Sequence, residues 1–303
     1  MRVLSLFDGM SCGQLALKKA GIKVDQYFAS EIDKYAIKVT QANFPNTIQL
    51  GDVQNVTPDQ VGKIDLLIGG SPCQGFSFAG KQLNFEDPRS KLFFEYVRLL
   101  KELKPKYFLL ENVRMKKESQ DVISNFLGVE PIAINSSLVS AQNRYRLYWT
   151  NIPNVTEPED KGIVLQDILE DGVTDRDKSH CIDANYFKGG NLKSYFEKHR
   201  RQLVFNKPLQ INPSKKAGGK QPYIQDRVFD VRGKSHALTA SFASRTNVGG
   251  EGLEWRKLTP LECERLQTVP EGYTDHVSNT QRYRMLGNGW TVDVIAHMFG
   301  GIE

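Results

Sequence analysis

Apolar and polar positions in the first half of the chain follow two periods in turn: short runs with strand spacing, then longer stretches with helix spacing. Val3-Leu-Ser-Leu-Phe7 predicts a strand, Asp8-Gly-Met-Ser-Cys-Gly13 a turn, and Leu15, Leu17 and Ala20 the buried face of a helix that stops at Gly21. Val24 to Ser30, Thr47 to Leu50 and Ile64 to Ile68 repeat the strand signal. Ser90 caps a helix with Leu92, Tyr96, Leu99, Leu100 and Leu103 on one face, stopped by Pro105. Tyr107 to Leu110 then reads as a strand, and the segments 132–139 and 147–149 as a final strand pair around Gln142-Asn-Arg-Tyr-Arg146. This alternation predicts a doubly wound α/β sheet.

Beyond Pro153 the rhythm is lost. A helix around Leu192 to Leu203 and strand-like runs at Arg227 to Val231 and Ala237 to Phe242 are all short. Thr259, Pro260 and Glu262 carry the residues of an N-cap, a first helical position and a capping box. The last helix, with Val292, Ile295, Ala296 and Phe299 on one face, is too apolar to stand in water and should return to the first core. Residues 1–153 with 281–303 are therefore expected to form one domain, and 154–280 a second.

Forty Lys and Arg against 35 Asp and Glu in 303 residues give a net charge of +5, which fits a polyanion partner without demanding one. The distribution is more informative. Residues 155–183 hold nine acidic and three basic residues, whereas 188–245 hold thirteen basic and three acidic, a pattern that fits either a solvated face or a polyanion surface. Cys12, Cys73, Cys181 and Cys263 lie far apart with no C-x-x-C pair, so neither a zinc site nor a disulfide framework is implied. No apolar run approaches a membrane span, and the expected location is the cytosol or nucleus.

Candidate chemistry gathers at the predicted strand ends, where ligands bind in such folds. Cys73 opens a loop, Ser-Pro-Cys-Gln-Gly, directly after an apolar strand; in isolation a cysteine reads first as a small buried apolar residue. Glu31 follows the second strand and Asp52 the third, positions suited to ribose hydroxyls and an adenine amino group, or equally to the surface. Glu111 follows the strand next to that of Cys73, and a carboxylate beside a thiol suits addition to a heteroaromatic ring. The glycines do not match G-x-G-x-x-G, which disfavours a nicotinamide or flavin enzyme.

In this order the motifs resemble those of DNA cytosine-5 methyltransferases, from residue 3 to about residue 300. FDGMSCG (7–13) is similar to the first cofactor motif, SPCQ (71–74) to the nucleophile loop, ENV (111–113) to the catalytic carboxylate and QNRYR (142–146) to the arginine motif; LTPLECERLQ (258–267) and GNGW (287–290) complete the set. The FDG opening, YTDHVSN (273–279) and Trp290 resemble the eukaryotic de novo subgroup, whereas PCQ followed by GFSFAGKQ is bacterial in style. Two departures, Ser11-Cys12 for a further glycine and GNGW for the commoner Gly-Asn-Ser, lie around the cofactor.

The resemblance implies a Rossmann-like S-adenosylmethionine-dependent methyltransferase sheet with helices on both faces, plus a smaller, irregular target-recognition domain. It implies that Cys73 attacks carbon 6 of a flipped-out cytosine, that Glu111 hydrogen-bonds ring nitrogen 3 and the exocyclic amine, and that Arg146, helped by Arg144, stabilises the charge that develops. Around S-adenosylmethionine it places Phe7, Asp8, Gly9, Gly13, Glu31, Ile32, Asp52, Val53, Ser71, Leu92, Asn288 and Trp290. Duplex DNA is the implied partner, with no metal. Gln74 and Ser77 are expected at the DNA, Arg245 and Asn247 at base edges, and Lys215, Lys216 and Lys220 at phosphates. A cognate restriction endonuclease is a further expected partner. The alternatives are a transfer-RNA cytosine-5 methyltransferase and an inactive DNA-binding homologue.

Overall fold

The computed structural model describes residues 1–71, 88–205 and 255–303. Seven strands, β1 (Arg2–Leu6), β2 (Gln26–Ser30), β3 (Ile48–Gln49), β4 (Leu66–Gly69), β5 (Tyr107–Val113), β6 (Ile132–Asn135) and β7 (Tyr145–Thr150), form one sheet in the order β3-β2-β1-β4-β5-β7-β6. β1 pairs in parallel with both β2 and β4, so the winding reverses between β1 and β4 and opens a crevice at the strands' carboxyl ends. β7 runs antiparallel between β5 and β6.

Both faces are covered, which is why the central strands read as apolar runs. Side chains alternate across the sheet. Val3, Leu66 and Leu109 join the core cluster that also holds Leu17 of α1 (Cys12–Lys19), whereas Leu4, Leu67 and Leu110 join the opposite one. α2 (Lys34–Asn43) and α3 (Pro58–Val61) lie between strands; α4 (Pro88–Leu103) and α5 (Lys117–Leu127) supply Phe93, Leu99 and Ile123 to the second cluster.

The differences from the sequence-based expectation have physical causes. α4 begins at Pro88, whose fixed φ suits a first helical turn, so Ser90 lies within the helix and not at the position before it. β5 continues through Val113 because β7 supplies hydrogen-bond partners, which places Glu111 and Asn112 within the strand. α6 (Leu192–Lys198) ends early: His199 and Arg201 take φ of 49° and 58°, and the chain turns into β8 (Leu203–Phe205), paired with β9 (Trp255–Lys257). α5 and α8 (Asn279–Asn288) add to the expected helices; Ile123 and Leu127 have helical spacing in the first, whereas the mostly polar sequence of the second gives little periodic signal. The runs 227–231 and 237–242 lie outside the described residues.

α7 (Pro260–Leu266) starts as its sequence requires, with Thr259 Oγ1 accepting from Glu262 N at 3.2 Å and Glu262 Oε2 accepting from Thr259 N at 2.8 Å. α9 (Val292–Phe299) returns to the sheet and buries Ile295 and Phe299 in the cluster that holds α1. There Asp293 bridges Lys19 and Lys161, pairings that outweigh the cost of its burial and hold its carboxyl below the usual range. Leu258, Cys263 and Leu266 share that cluster; Val173, Tyr195, Leu203 and Phe205 form a separate small one.

Gly287 sits where α8 crosses the 183–184 backbone, and a Cβ there would lie 2.2 Å from the Asp183 carbonyl carbon and 2.5 Å from Ala184 N. Backbone atoms cannot swing aside as a side chain tip can. Gly287→Ala should therefore destabilise the protein by about 1–3 kcal/mol or more, as a lowered midpoint in thermal or urea unfolding would show.

Candidate active site

The carboxyl ends of β1, β2, β4 and β5 and the loop joining α8 to α9 enclose a cavity of about 550 Å³. The chain leaves β1 through a tight bend in which Phe7, Gly9 and Ser11 take φ of 58°, 58° and 63°; two of these carry side chains, so strain is held at the site. The bend is fixed from the neighbouring strand, since Gly9 N donates to Glu31 Oε2 at 2.8 Å, while Glu31 Oε1 accepts from Ile32 N and Asp33 N at 2.7 and 2.8 Å. Asp8 accepts from Ser11 Oγ at 2.5 Å and Tyr27 OH at 2.8 Å. Burial nevertheless pushes its carboxyl up to about 6, with the Glu31 charge adding to the shift.

Of the twelve residues expected around the cofactor, Phe7, Asp8, Gly9, Glu31, Ile32, Asp52, Val53, Ser71, Leu92, Asn288 and Trp290 line this cavity. Gly13 does not. It is buried in α1 against the Ile68 side chain and the Tyr27 hydroxyl, where a Cβ would fall at 2.4 and 2.8 Å. Cys12 does line it, but as an apolar wall, because burial pushes its thiol up to about 12.

Glu111, at the β5 end of the cavity, is buried between two groups from distant parts of the chain. Arg146 Nε stands 2.9 Å from its Oε1, and Trp290 Nε1 donates to its Oε2 at 3.1 Å. The Arg146 N–H is not directed along the short distance, so the pair is held by charge: among the described residues its Nε has no hydrogen-bond acceptor. Burial alone would lower the pKa of the guanidinium, and the Glu111 carboxylate together with Cys181 and Tyr148 outweighs it and holds the group above its ordinary value.

Arg144 has a different position. Its Nη1 donates to Cys181 Sγ at 3.3 Å and Ile182 O at 3.1 Å, its Nη2 to Gly287 O at 3.2 Å and Gly289 O at 2.8 Å. The guanidinium is thus spent on the 181–182 segment and the GNGW loop. Gln267 joins it, donating to Leu286 O at 2.6 Å and Gly289 O at 3.1 Å and accepting from Gln142 at 3.0 Å and Thr291 at 2.9 Å. Gln142, Gln267 and Asn112 were visible in the motifs but not assigned roles there. Asn112 Nδ2 holds Ser71 through its hydroxyl at 3.3 Å and its carbonyl at 3.4 Å, fixing the chain one residue before Pro72.

Cys73, Gln74 and Ser77, and likewise Lys215, Lys216, Lys220, Arg245 and Asn247, lie outside the described residues. Among the described residues no group of three or more His, Cys, Asp or Glu is arranged to hold a metal ion, and no helix is long and apolar enough to cross a membrane.

Residues 1–303 match the family model for C-5 cytosine-specific DNA methylase. The chain is 31% identical over 322 residues to the type II methyltransferase M1.ScrFI of Lactococcus lactis subsp. cremoris, a match covering 97% of this chain and 76% of that protein. It is 28% identical over 322 residues to M.HhaI of Haemophilus parahaemolyticus, covering 98% and 93%. Among solved structures, the Dnmt2 methyltransferase of S. pombe superposes with a TM-score of 0.68 at 19% identity, covering 99% of this chain and 97% of that one. A putative DNA modification methyltransferase encoded within a prophage of E. coli gives 0.62 at 22%, covering 99% and 97%. At such identities these two likenesses carry the fold alone.

The raised Asp8 pKa has a consequence for stability. The unfolded chain loses this proton near 3.8 and the folded protein only near 6, so the stabilising contribution is complete below 3.8 and is lost as pH rises through 6. Asp8→Asn removes the titration. Thermal midpoints of the cofactor-free proteins should show the variant gaining on wild type across that window and holding its gain above it.

Proposed function

The chain belongs to the C-5 cytosine-specific DNA methylase family and is an S-adenosylmethionine-dependent DNA cytosine-5 methyltransferase; we propose that Cys73, Glu111 and Arg146 carry the reaction on a cytosine flipped out of duplex DNA. The observation that supports this most is the buried Glu111 carboxylate, held beside a guanidinium that lacks a hydrogen-bond acceptor on Nε among the described residues, on the strand next to the one that leads into Cys73.

Cytosine carbon 5 is not nucleophilic until something adds to carbon 6. In this reading the Cys73 thiolate forms that bond and breaks the 5,6 double bond, while Glu111 hydrogen-bonds ring nitrogen 3 and the exocyclic amine. Arg146 places positive charge where electron density accumulates, a role worth about 2–4 kcal/mol by analogy with oxyanion-hole groups. Carbon 5 gains the methyl group; loss of its proton and of the thiolate then restores the double bond. Arg144 acts at one remove, by holding the loop that carries Trp290.

S-adenosylmethionine fits the cavity by the chemistry of its lining. Carboxylates of Asp8, Glu31 and Asp52 suit a ligand with a cationic end and a ribose diol, and the Phe7 ring suits a flat base. When bound, it supplies an electrophilic methyl group.

Recognition of the target is proposed for residues 154–280, with Arg245 and Asn247 at base edges and Lys215, Lys216 and Lys220 at phosphates; Gln74 and Ser77 would meet the DNA from the nucleophile loop. Arg114, which directly follows β5, is a further candidate for a phosphate contact. Its exposed guanidinium lies 5.6 Å from the Tyr145 ring, with no ion pair among the described residues. Two curated relatives are bacterial type II methyltransferases, which supports action in a bacterial or phage-infected cytoplasm beside a separate cognate endonuclease.

Incubation with labelled S-adenosylmethionine and either duplex DNA or transfer RNA should label only the DNA. Cys73→Ala should abolish labelling while DNA binding persists, and Glu111→Gln should lower turnover by about 10²-fold or more with cofactor affinity held. Labelled transfer RNA, or an active alanine variant, would overturn the assignment.

The DNA contacts separate in a second measurement. Arg114→Ala should weaken binding to all sequences alike and flatten its salt dependence by about one counterion. Arg245→Ala should cost about 1–3 kcal/mol on the preferred site and relax one position of the methylated-site logo read by bisulfite sequencing.

A further inference from the structure

The two oxygens of Glu111 are held by unlike groups. Arg146 constrains Oε1 by charge, through an N–H that does not point at it, and this alone leaves the carboxylate free to turn about its last torsion, which has broad wells. Oε2 receives a directed hydrogen bond from Trp290 Nε1 at 3.1 Å, across 179 residues of sequence. Two oxygens engaged from two directions define a plane.

The indole is itself aimed by its surroundings. Gly289, just before it, is pinned by Arg144 Nη2 at 2.8 Å and Gln267 Nε2 at 3.1 Å, and a Cβ there would lie 2.9 Å from Met10 Cε and 3.1 Å from Met285 O. Thr291, just after it, donates to Gln267 Oε1 at 2.9 Å. From the β4 side Gly70 leaves the contact open: a Cβ at that position would come within 3.0 Å of Glu111 Oε2 and 3.1 Å of Trp290 Nε1. Three elements thus converge on one hydrogen bond.

We propose that Trp290 is a positioning residue for Glu111, its indole N–H fixing the plane of the carboxylate before the target base enters, in addition to forming a wall of the cofactor cavity. This rests on the reading of Glu111 as the group that hydrogen-bonds the base. A carboxylate aligned beforehand meets the ring without reorganising as charge develops, the condition under which such groups contribute most to rate.

Trp290→Phe keeps an aromatic wall and deletes the donor. Its single-turnover methylation rate at saturating S-adenosylmethionine and DNA should fall on the order of tenfold, while the dissociation constants of both ligands change by less than about twofold. In a Glu111→Ala background the same substitution should change the residual rate by less than about twofold, since no carboxylate remains to be held. A Trp290→Phe variant that loses cofactor affinity at an unchanged saturated rate would overturn the inference, and so would an equal loss in both backgrounds. Should the phenylalanine variant fail to melt cooperatively, Gly70→Ala takes its place and should show the same split between rate and affinity. Full activity of Glu111→Ala by itself would overturn the parent reading together with this one, whereas full activity of Trp290→Phe beside an inactive Glu111→Ala would remove only the role of the indole.

Discussion

The antiparallel insertion of β7 beside β5 governs the candidate active site. Its register sets Val113 opposite Arg146 and Glu111 opposite Tyr148, so the guanidinium and the carboxylate share one face of the sheet. A slip of one residue would carry Arg146 to the opposite face and leave a buried carboxylate without its counter-charge, a loss of several kcal/mol for a group so placed. The ion pair and the register therefore specify each other. The geometry of this half of the cavity follows from that pairing.

The other half depends on a buried polar network. Arg144 and Gln267, 123 residues apart in sequence, converge on the carbonyls of the 286–289 stretch, and Gln142 braces Gln267 through its side-chain oxygen and the Leu266 carbonyl. Loops seldom hold a fixed shape in a core, because their carbonyls need partners; here the partners are long side chains from the residue just before β7 and the residue just after α7. Residues that a motif search assigns to chemistry thus divide into two kinds. Glu111 and Arg146 face the cavity, where Arg146 keeps an Nε with no acceptor among the described residues, whereas Arg144 spends both Nη groups on the 181–182 segment and the 287–289 carbonyls and keeps a loop in place.

The β1–β2 side of the cavity shows the same economy in backbone form. Glu31 uses its oxygens on three backbone N–H groups, which shapes the bend after β1, and the strained φ at Phe7 and Ser11 is supported by that anchoring. Asp8, by contrast, is held by hydroxyl donors in a site where burial outweighs them, leaving a carboxyl poised near 6.

By itself the sequence determined the alternation of strands and helices, the capping box at Thr259, the return of the last helix to the first core, and which residue types stand at the strand ends. These depend on local periodicity and backbone preference, which are written in neighbouring residues. Tertiary structure decided what adjacency in sequence cannot express. It made Gly13 a packing residue and Gly287 a crossing point, since only the approach of Ile68 and of the 183–184 backbone reveals the lack of room. It extended β5 through Glu111, because a strand's end depends on the length of its partner. It also gave the Trp290 indole a carboxylate 179 residues away, as a side chain's partner is settled by the packing of the two elements that carry it, and that packing is a property of the whole sheet and not of either segment.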